Sequence, residues 1–383
     1  MTTMLSRNTV YRFLEPDFGP VLHAKRLMSL SLATVGVCHA PRASIAEIGR
    51  SLAAATGKSP KHCIKQVDRM LSNDGFPIEE VLPTYIRVIV GDREAVTLAM
   101  DWTEYPVNDQ ATVVLSLVTV HGRAMPLAWK TVPKKALKSR RSALEDELIH
   151  FVAGVLGRGV AVTVLADRAF GDVELYEMLA KLGWDWVIRY RGVIEATDPA
   201  TGEVRRSDAW IPEGGVPHRI EGALLTQAKV AVPAMVCVKA PRMKEGWCLS
   251  TSLKRKTAEE VVALYGRRFT IEESFRDEKD DRFGWGLKET SLRTPERRDR
   301  MLLVLALARL LLMLLGKAGE QLGLDKKLRA NTETRKRTHA LVTQGRKYAV
   351  GVGVLAAFAV PLFNLFHELA QAVPLHDFIG GPR

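Results

Sequence analysis

The pattern of hydrophobic and polar positions changes twice along the chain. Residues 44–74 carry apolar side chains at helical spacing on both sides of a tight turn, which predicts two consecutive helices. From about residue 86, short apolar runs separated by turn residues predict strands. Helical spacing returns in the last third of the chain. We therefore predict a helical region over 1–85, an α/β domain over 86–290 and a helical C-terminal region over 291–383.

The middle region alternates between strand and helix patterns. Three strands, a helix, a strand, a helix and a strand predict a mixed α/β sheet with flanking helices. Residues 192–253 lose the helical period and predict a β-rich insertion, and Thr257 then begins a long helix to about Lys279. Ser142 and Glu145 have capping-box spacing at the first of the two earlier helices. The predicted strands are 95–102, 112–120, 124–132, 160–166 and 184–190, and the helices are 142–156 and 172–182.

The two helices of residues 44–74 have the spacing of a helix-turn-helix. Ser44 and Glu47 form a capping-box pattern at the first helix, and Pro60 occupies the first position of the second, where proline is favoured. Basic residues lie off the apolar stripe of the second helix, which predicts contact with DNA. The alternative is a solvated helical hairpin without a ligand. The predicted DNA-binding residues of this helix are Lys61, Lys65 and Arg69.

The charge of the chain favours a polyanionic partner. The 383 residues include 55 Lys and Arg against 43 Asp and Glu, a net charge of +12. Nucleic acid is the first expectation and an anionic membrane surface the second. The basic residues concentrate in segments 58–69, 130–141 and 325–347. The four cysteines lack a C-x-x-C pair, so we expect reduced core thiols in a cytosolic protein and neither a disulfide framework nor a zinc site.

One segment, Met301 to Leu315, is almost wholly apolar. It contains fifteen residues, Arg309 among them. A helix that spans a membrane needs about 20 apolar residues. We therefore predict a buried core helix or a dimer helix, and no membrane association.

Three carboxylates are candidates for chemistry. Asp101 and Asp167 end the apolar runs of two predicted strands, and Glu272 lies on the predicted helix that begins at Thr257. On one continuous helix, Glu272 would share a stripe about 60° wide with Tyr265, Arg268 and Lys279. Apolar residues, Phe269 among them, fall in the same sector, so we expect the stripe to point inward. The alternative is an internal ladder of ion pairs that continues from Arg268 through Glu272 to Arg276.

Buried acids that lie close together raise each other's pKa unless a positive charge compensates them. Three carboxylates without nearby histidine or cysteine are typical of a hard-cation site, which indicates Mg²⁺ or Mn²⁺ rather than zinc. Such a site can activate a water or hydroxyl and stabilise the leaving oxygen in phosphoryl transfer. The pattern therefore predicts a metal-dependent enzyme that acts on phosphodiesters.

The same residues resemble a known family. Tyr265, Arg268, Glu272 and Lys279 match, at every spacing, the Y-R-E-K signature of transposases of the bacterial insertion-sequence-4 family. The sequence DWT at 101–103 resembles the first acidic motif of that family, and DRAF at 167–170 resembles the second. Ala169 stands where many relatives have glycine, a change between two small residues. The resemblance covers roughly residues 95 to 290.

This resemblance implies an RNase H-like catalytic core with a β-rich insertion before the catalytic glutamate. It implies that Asp101, Asp167 and Glu272 form the catalytic, metal-binding triad, with Mg²⁺ as cofactor and Mn²⁺ as a substitute. Tyr265, Arg268 and Lys279 would contact phosphates near the cleaved transposon end. Trp247 resembles a tryptophan that stacks against a flipped base during hairpin formation, and Trp210 is the competing candidate.

We accordingly expect a transposase that performs cut-and-paste transposition at terminal inverted repeats. Its partners would be double-stranded DNA, both the repeats and the target, and a second copy of the chain, because two ends must be held together. The region 291–383 would provide dimerisation and DNA contacts, in a bacterial cytoplasm beside the nucleoid. Two alternatives remain open: an RNase H-like nuclease that transfers no strands, and a catalytically inactive DNA-binding relative.

Overall fold

Helices precede the first strand in the computed structural model, which describes residues 5–282, 284–329, 332, 337–351 and 358–371. The predicted pair over 44–74 is present, and the Ser44 hydroxyl accepts a hydrogen bond from the Glu47 amide (3.2 Å). The bounds are α1 Arg7–Phe18, α2 Ala24–His39, α3 Ile45–Thr56, α4 Pro60–Leu71 and α5 Ile78–Val90.

Helix α5 extends past residue 86, where the change to strands was predicted. Tyr85, Ile86 and Ile89 are buried at helical spacing, and the Tyr85 hydroxyl donates to the carbonyl of Pro126 (2.7 Å). The strand pattern therefore begins only at Ala95. The predicted boundaries of the three regions stay a prediction.

The predicted alternation of strands and helices in the middle region is confirmed. Strand β1 pairs in parallel with β4, and β4 pairs in parallel with β5, whereas β2 is antiparallel to both β1 and β3. The resulting order is β3-β2-β1-β4-β5. The elements are β1 Ala95–Tyr105, β2 Gln110–Leu117, β3 Met125–Pro133, α6 Arg141–Leu156, β4 Ala161–Ala166, α7 Val173–Leu182 and β5 Asp185–Tyr190.

The insertion over 192–253 is β-rich, as predicted, but part of it continues the main sheet. Three of its strands add to the β5 edge in the order β5-β12-β11-β8, and the other four form a separate small sheet. The strands are β6 Glu195–Thr197, β7 Val204–Arg206, β8 His218–Glu221, β9 Leu224–Leu225, β10 Val230–Ala231, β11 Ala234–Val238 and β12 Trp247–Thr251. The start of β12 thereby brings Trp247 to the sheet itself.

The prediction of one long helix from Thr257 to Lys279 is wrong, because the segment forms two helices. Helix α8 (Ala258–Gly266) begins at a full capping box of Thr257 and Glu260, and α9 (Phe269–Lys279) follows after a turn at 267–268. Two helices cannot share one continuous stripe. Tyr265 and Arg268 are buried as predicted, but Glu272 is exposed.

The opposite side of this segment also differs from the prediction. Ser274 and Glu278 lie outside the stripe that was expected to point inward, yet both are buried on α9. The Ser274 hydroxyl donates to the carbonyl of Ala124 (2.8 Å), and Glu278 forms an ion pair with Arg309. The new direction of α9 after the turn thus presents a different face to the sheet and to the helices behind it.

The predicted capping box at Ser142 is also wrong. Helix α6 begins at Arg141 after Arg140, and no side chain caps it. The buried carboxylate of Glu145 instead accepts hydrogen bonds from the indole nitrogen of Trp102 (2.5 Å) and from Arg141 (3.2 Å). A tertiary partner has therefore replaced the local one.

The apolar segment Met301 to Leu315 lies within α10 (Pro295–Gln321), and the prediction of a core helix is confirmed. In the part of the chain that the structure describes, α10 is the one helix long and apolar enough to cross a membrane, and 94% of its apolar window is buried inside the protein. Helices α11 (Leu341–Val350) and α12 (Ala359–Gln371) pack against it.

The two terminal regions pack on each other. Arg300 of α10 donates to the carbonyl of Leu71 (2.8 Å), and Arg297 forms an ion pair with Asp68 of α4 (2.7 Å). Helix α4, the second helix of the predicted helix-turn-helix, therefore packs against the buried core helix α10. Of the predicted basic segment 325–347, Arg335 and Lys336 lie outside the described residues. All four cysteines are free and buried.

Candidate active site

Two of the predicted acids lie at neighbouring positions of the sheet, Asp101 within β1 and Asp167 directly after β4. Strands β1 and β4 are parallel, and their register pairs Met100 with Ala166. Asp101 is the next residue of β1, and Asp167 is the first residue after β4. Backbone amides hold both carboxylates: Asp101 Oδ1 accepts from the amide of Trp102, and Asp167 Oδ1 from that of Ala169, each at 2.8 Å. The sheet register alone therefore brings these two acids together.

Helix α9 adds Glu272 through a shared arginine. One nitrogen of the Arg268 guanidinium donates to Asp101 Oδ2 (3.3 Å), and the other donates to Glu272 Oε1. The Arg268 side chain is only 6% exposed, whereas that of Glu272 is 46% exposed. Arg276 pairs with Glu273 instead of Glu272, so the three-residue ladder considered as the alternative does not form.

The three carboxylates act on one another electrostatically. The pKa of Asp101 is raised from 3.8 to about 6, mainly by burial and in addition by the negative charges of Asp167 and Glu272. The Arg268 guanidinium and the Trp102 amide act in the opposite direction. Hence the Arg268 charge does not fully offset the effects of burial and of the neighbouring negative charges on Asp101.

The chemistry of these donors fits a hard divalent cation, since all three are carboxylates. Among the residues described, however, no three His, Cys, Asp or Glu side chains form a ready-made metal centre. The reason is visible in the geometry: the Arg268 guanidinium already lies between Asp101 and Glu272. A positive group thus stands where two of the candidate ligands would share a metal ion.

Tyr265 and Lys279 are each near enough to one of the acids to interact with it electrostatically, but their surroundings differ. Tyr265 is fully buried, and the Arg268 guanidinium lies 5.9 Å from its ring centre. Lys279 lines an open cleft of about 530 Å³ together with Glu104, Arg276 and Lys288. Burial lowers the pKa of Lys279, and Asp101 is among the charges that oppose this shift. The charges of Lys279 and Asp101 therefore interact.

Trp247 reaches the same site, and Trp210 does not. The ring of Trp247 packs edge-on against Tyr265 (4.9 Å between centroids) and tilted against Phe269 (5.8 Å). Trp210 is buried in the insertion, where it stacks with His218 and lies under Arg205. Phe269, predicted to point inward, is 38% exposed beside Trp247. The helix break turns it outward, and no local sequence signal indicates that.

The three basic residues on α4 form a separate exposed surface. Lys61, Lys65 and Arg69 all face solvent at four-residue intervals. Helix α4 packs against α2, α3 and α10 through its other face, where Cys63, Val67, Met70 and Leu71 are buried. This arrangement provides a straight row of positive charge apart from the carboxylates.

Sequence reasoning missed the residues that hold α9 in place. The Arg123 guanidinium, in the turn between β2 and β3, donates to Asp277 of α9 (2.8 Å). The amide of Ala124 donates to the carbonyl of Thr270 (3.1 Å), and Ser274 returns a hydrogen bond to the carbonyl of Ala124. This turn therefore fastens the helix that carries Glu272. In the sequence it shows only as a hairpin turn.

A comparison with protein-family models gives a match over residues 131–311 to the transposase DDE domain. The matched segment contains Asp167, Glu272 and the Y-R-E-K residues, and Asp101 precedes it. No curated protein matches the chain. DNA is the substrate that such a domain implies, and divalent metals are its usual cofactors. The mixed sheet is an RNase H-like fold, and residues 131–311 are similar to the transposase DDE domain.

Proposed function

We propose that the protein is a cut-and-paste transposase similar to those of the insertion-sequence-4 family, acting at terminal inverted repeats. The observation that carries the proposal is the contact of Arg268 with both Asp101 and Glu272. It joins two residues of the Y-R-E-K signature to the first acidic motif. The parallel register of β1 and β4 adds Asp167 from the second motif. Residues far apart in sequence thus meet as a phosphoryl-transfer site requires.

Asp101, Asp167 and Glu272 are the residues that would hold Mg²⁺, or Mn²⁺ in its place. When bound, the metal activates the attacking water or hydroxyl and neutralises charge on the phosphate. The protein supplies rigid positions for the three ligands. Two of them follow directly from paired strands, and the third lies on a helix fastened by Arg123 and Ser274. Positioning on regular elements suits catalysis that depends on geometry.

Arg268 and Lys279 would bind phosphates of the DNA end beside these acids. Arginine can grip a phosphate with two parallel hydrogen bonds, while lysine acts as a point charge. Tyr265 would support Arg268, since its ring is buried, lies 5.9 Å from the Arg268 guanidinium and packs against Trp247. The phosphates would thereby be oriented toward Asp101 and Asp167 before the reaction starts.

Trp247 would receive a base expelled from the DNA stack during hairpin formation. Its ring is partly exposed and backed by Tyr265 and Phe269, which keeps it in one orientation. Stacking of a base on an aromatic ring contributes roughly 1–3 kcal/mol. The platform stands next to Arg268, whose guanidinium also lies over the Phe269 ring (4.9 Å).

The remaining basic surface would position DNA without taking part in the chemistry. Lys61, Lys65 and Arg69 would contact the backbone from α4, together with segments 130–141 and 325–347. We further propose that two copies hold the two transposon ends, with region 291–383 contributing to dimerisation. The three predicted regions, 1–85, 86–290 and 291–383, would then serve DNA binding, catalysis and assembly in a bacterial cytoplasm.

The test uses variants that remove one ligand charge at a time: Asp101→Asn, Asp167→Asn and Glu272→Gln. The substrate is a plasmid that carries the chromosomal DNA on both sides of the gene, with Mg²⁺ and a second target plasmid. Wild type should cleave at both ends and join them to the target. Each variant should bind the DNA in a gel shift but not cleave it. Glu259→Gln, an exposed carboxylate on α8, is the control and should retain activity.

Three outcomes contradict parts of the proposal. Cleavage without joining would identify a nuclease that transfers no strands. Binding without cleavage by wild type would identify an inactive DNA-binding relative. Normal cleavage by any one of the three variants would remove that residue from the triad.

A further inference from the structure

The Arg268 guanidinium occupies the centre of the candidate active site. Its two terminal nitrogens donate to Asp101 and to Glu272. Its third nitrogen, Nε, is buried and has no hydrogen-bond partner among the described residues. Among the described residues, Arg268 therefore forms its ion pairs with Asp101 and Glu272.

A divalent cation and this guanidinium compete for the same carboxylate charge. Both bind carboxylate oxygens, and one oxygen of Asp101 and one of Glu272 already accept hydrogen bonds from the guanidinium. A metal ion added beside the guanidinium would also be repelled by its like charge, most strongly near Asp101 and Arg268, whose side chains are 19% and 6% exposed. Metal binding therefore requires Arg268 to leave.

The position of Arg268 allows its side chain to move, and DNA offers it an alternative anionic partner. It lies at the turn between α8 and α9, so its side chain can move without opening either helix. On the outer side it meets Glu272 and Phe269, which are both partly exposed. A DNA phosphate that approaches from this side offers a bidentate anionic partner, the type that arginine binds most strongly.

We propose that Arg268 is a latch that holds the metal site closed until DNA arrives. In the free protein its guanidinium substitutes for the metal charge between Asp101 and Glu272. A DNA phosphate draws the guanidinium away, and the carboxylates become free to bind the cation. Metal and DNA then favour each other's binding, as linked equilibria require. The inference rests on the proposed function, because it takes Asp101 and Glu272 as metal ligands.

The experiment measures Mn²⁺ binding to the full chain in the absence of DNA, by the loss of the free-ion electron paramagnetic resonance signal. Arg268→Gln should bind Mn²⁺ at least about tenfold more tightly than wild type, because the competing charge is gone. Arg268→Lys keeps a positive charge but cannot reach both carboxylates with a planar fork, so its affinity should lie between the two. Arg276→Gln, two turns further along on α9, is the matched control and should behave as wild type, because Arg276 pairs with Glu273.

A double variant locates the ion. Asp101→Asn combined with Arg268→Gln should lose the affinity that Arg268→Gln gained. Thermal unfolding of each variant shows whether it is folded, and Arg268→Lys serves as the test if Arg268→Gln is not.

Two results overturn the latch and are distinguishable. If wild type binds Mn²⁺ as tightly as Arg268→Gln, and Asp101→Asn abolishes this binding, the latch is wrong while the proposed metal site stands. If the affinity of Arg268→Gln survives in the double variant, or if neither protein binds Mn²⁺, both the latch and the proposed metal ligands fail.

Discussion

Arg309 of α10 and Glu278 of α9 form a buried ion pair at 2.9 Å, with side chains that are 1% and 6% exposed. Arg309 also donates to the carbonyl of Ser274 (3.4 Å). Glu278 lies on the same helix as Glu272 and immediately before Lys279. Through Arg309, the apolar core helix α10 thus contacts α9, the helix that carries the candidate metal ligand Glu272.

We expect Arg309→Met to lower the free energy of unfolding by about 3–5 kcal/mol. The substitution leaves the carboxylate of Glu278 buried without its partner, and burial already raises the pKa of Glu278. Urea denaturation at neutral pH measures the loss. Removing both charges, in Arg309→Met with Glu278→Leu, should restore most of the stability, because no unpaired charge then remains.

The partly exposed pair of Arg337 and Glu320, with side chains 32% and 18% exposed, is the control for this cycle. Arg337→Met should cost no more than about 1 kcal/mol, as for other partly exposed ion pairs. Equal losses for Arg309→Met and Arg337→Met would show that burial does not govern the strength of the first pair.

Trp247→Ala should leave the first DNA nick nearly normal and slow hairpin formation by at least about tenfold, equivalent to about 1.4 kcal/mol. The reason is that a flipped base loses its stacking surface, whereas the carboxylates are untouched. A time course on a labelled transposon end separates nicked, hairpin and fully cut products. Trp210→Ala is the comparison, since Trp210 is buried in the insertion and does not contact the Y-R-E-K residues.

Equal slowing of nicking and hairpin formation in Trp247→Ala would indicate a structural role beneath Tyr265. Normal rates for both steps would exclude a flipped base at this position.

Neutralising the basic row on α4 should weaken DNA binding and reduce its salt dependence. Lys61→Gln, Lys65→Gln and Arg69→Gln together remove three exposed charges from one helix face. The slope of log affinity against log salt should fall by roughly 0.9 for each phosphate that the protein no longer neutralises. Fluorescence anisotropy on a labelled duplex at several salt concentrations measures it.

The control removes the same net charge elsewhere, through Arg158→Gln, Lys181→Gln and Lys229→Gln at exposed positions outside the basic segments. This control should keep the wild-type slope. An unchanged slope in the α4 variant would mean that this helix does not touch the DNA backbone.

Asp299 predicts a pH dependence of stability. Burial raises its pKa from 3.8 to about 7, while hydrogen bonds from Thr131 oppose the shift. Between these values the folded protein keeps a proton that the unfolded chain has released. The free energy of unfolding therefore falls as pH rises through this window. Relative to Asp299→Asn, which cannot titrate, wild type should lose about 1–3 kcal/mol between about pH 4.5 and about pH 7.5.

Urea denaturation of both proteins at the two pH values measures this difference. A constant difference across the window would show that Asp299 ionises normally in the folded protein. If the stability of wild type relative to Asp299→Asn instead rose with pH, the charged form of Asp299 would be the one that the fold stabilises.

Much of the sheet could be predicted because its signals are local. The apolar runs that became β1 to β5, and the two helices between them, each lie within a few residues of their predicted bounds. The insertion could not be assigned to the main sheet, since β12 joins β5 only through pairs such as Cys248 with Tyr190. Strand pairing over such distances leaves no periodic mark in either segment.

For the site, the sequence by itself determined which side chains are available: two acids at the ends of apolar strands, the spacing from Tyr265 to Lys279, and an apolar helix containing one arginine. Only the tertiary structure decided how they meet. Asp101 and Arg268 are 167 residues apart and lie in contact, and the turn before Phe269 leaves Glu272 exposed instead of buried. The local sequence pattern indicates only whether a segment forms a helix or a strand. The direction of α9 depends on its contacts with Ala124 and Arg309, which lie in distant parts of the sequence.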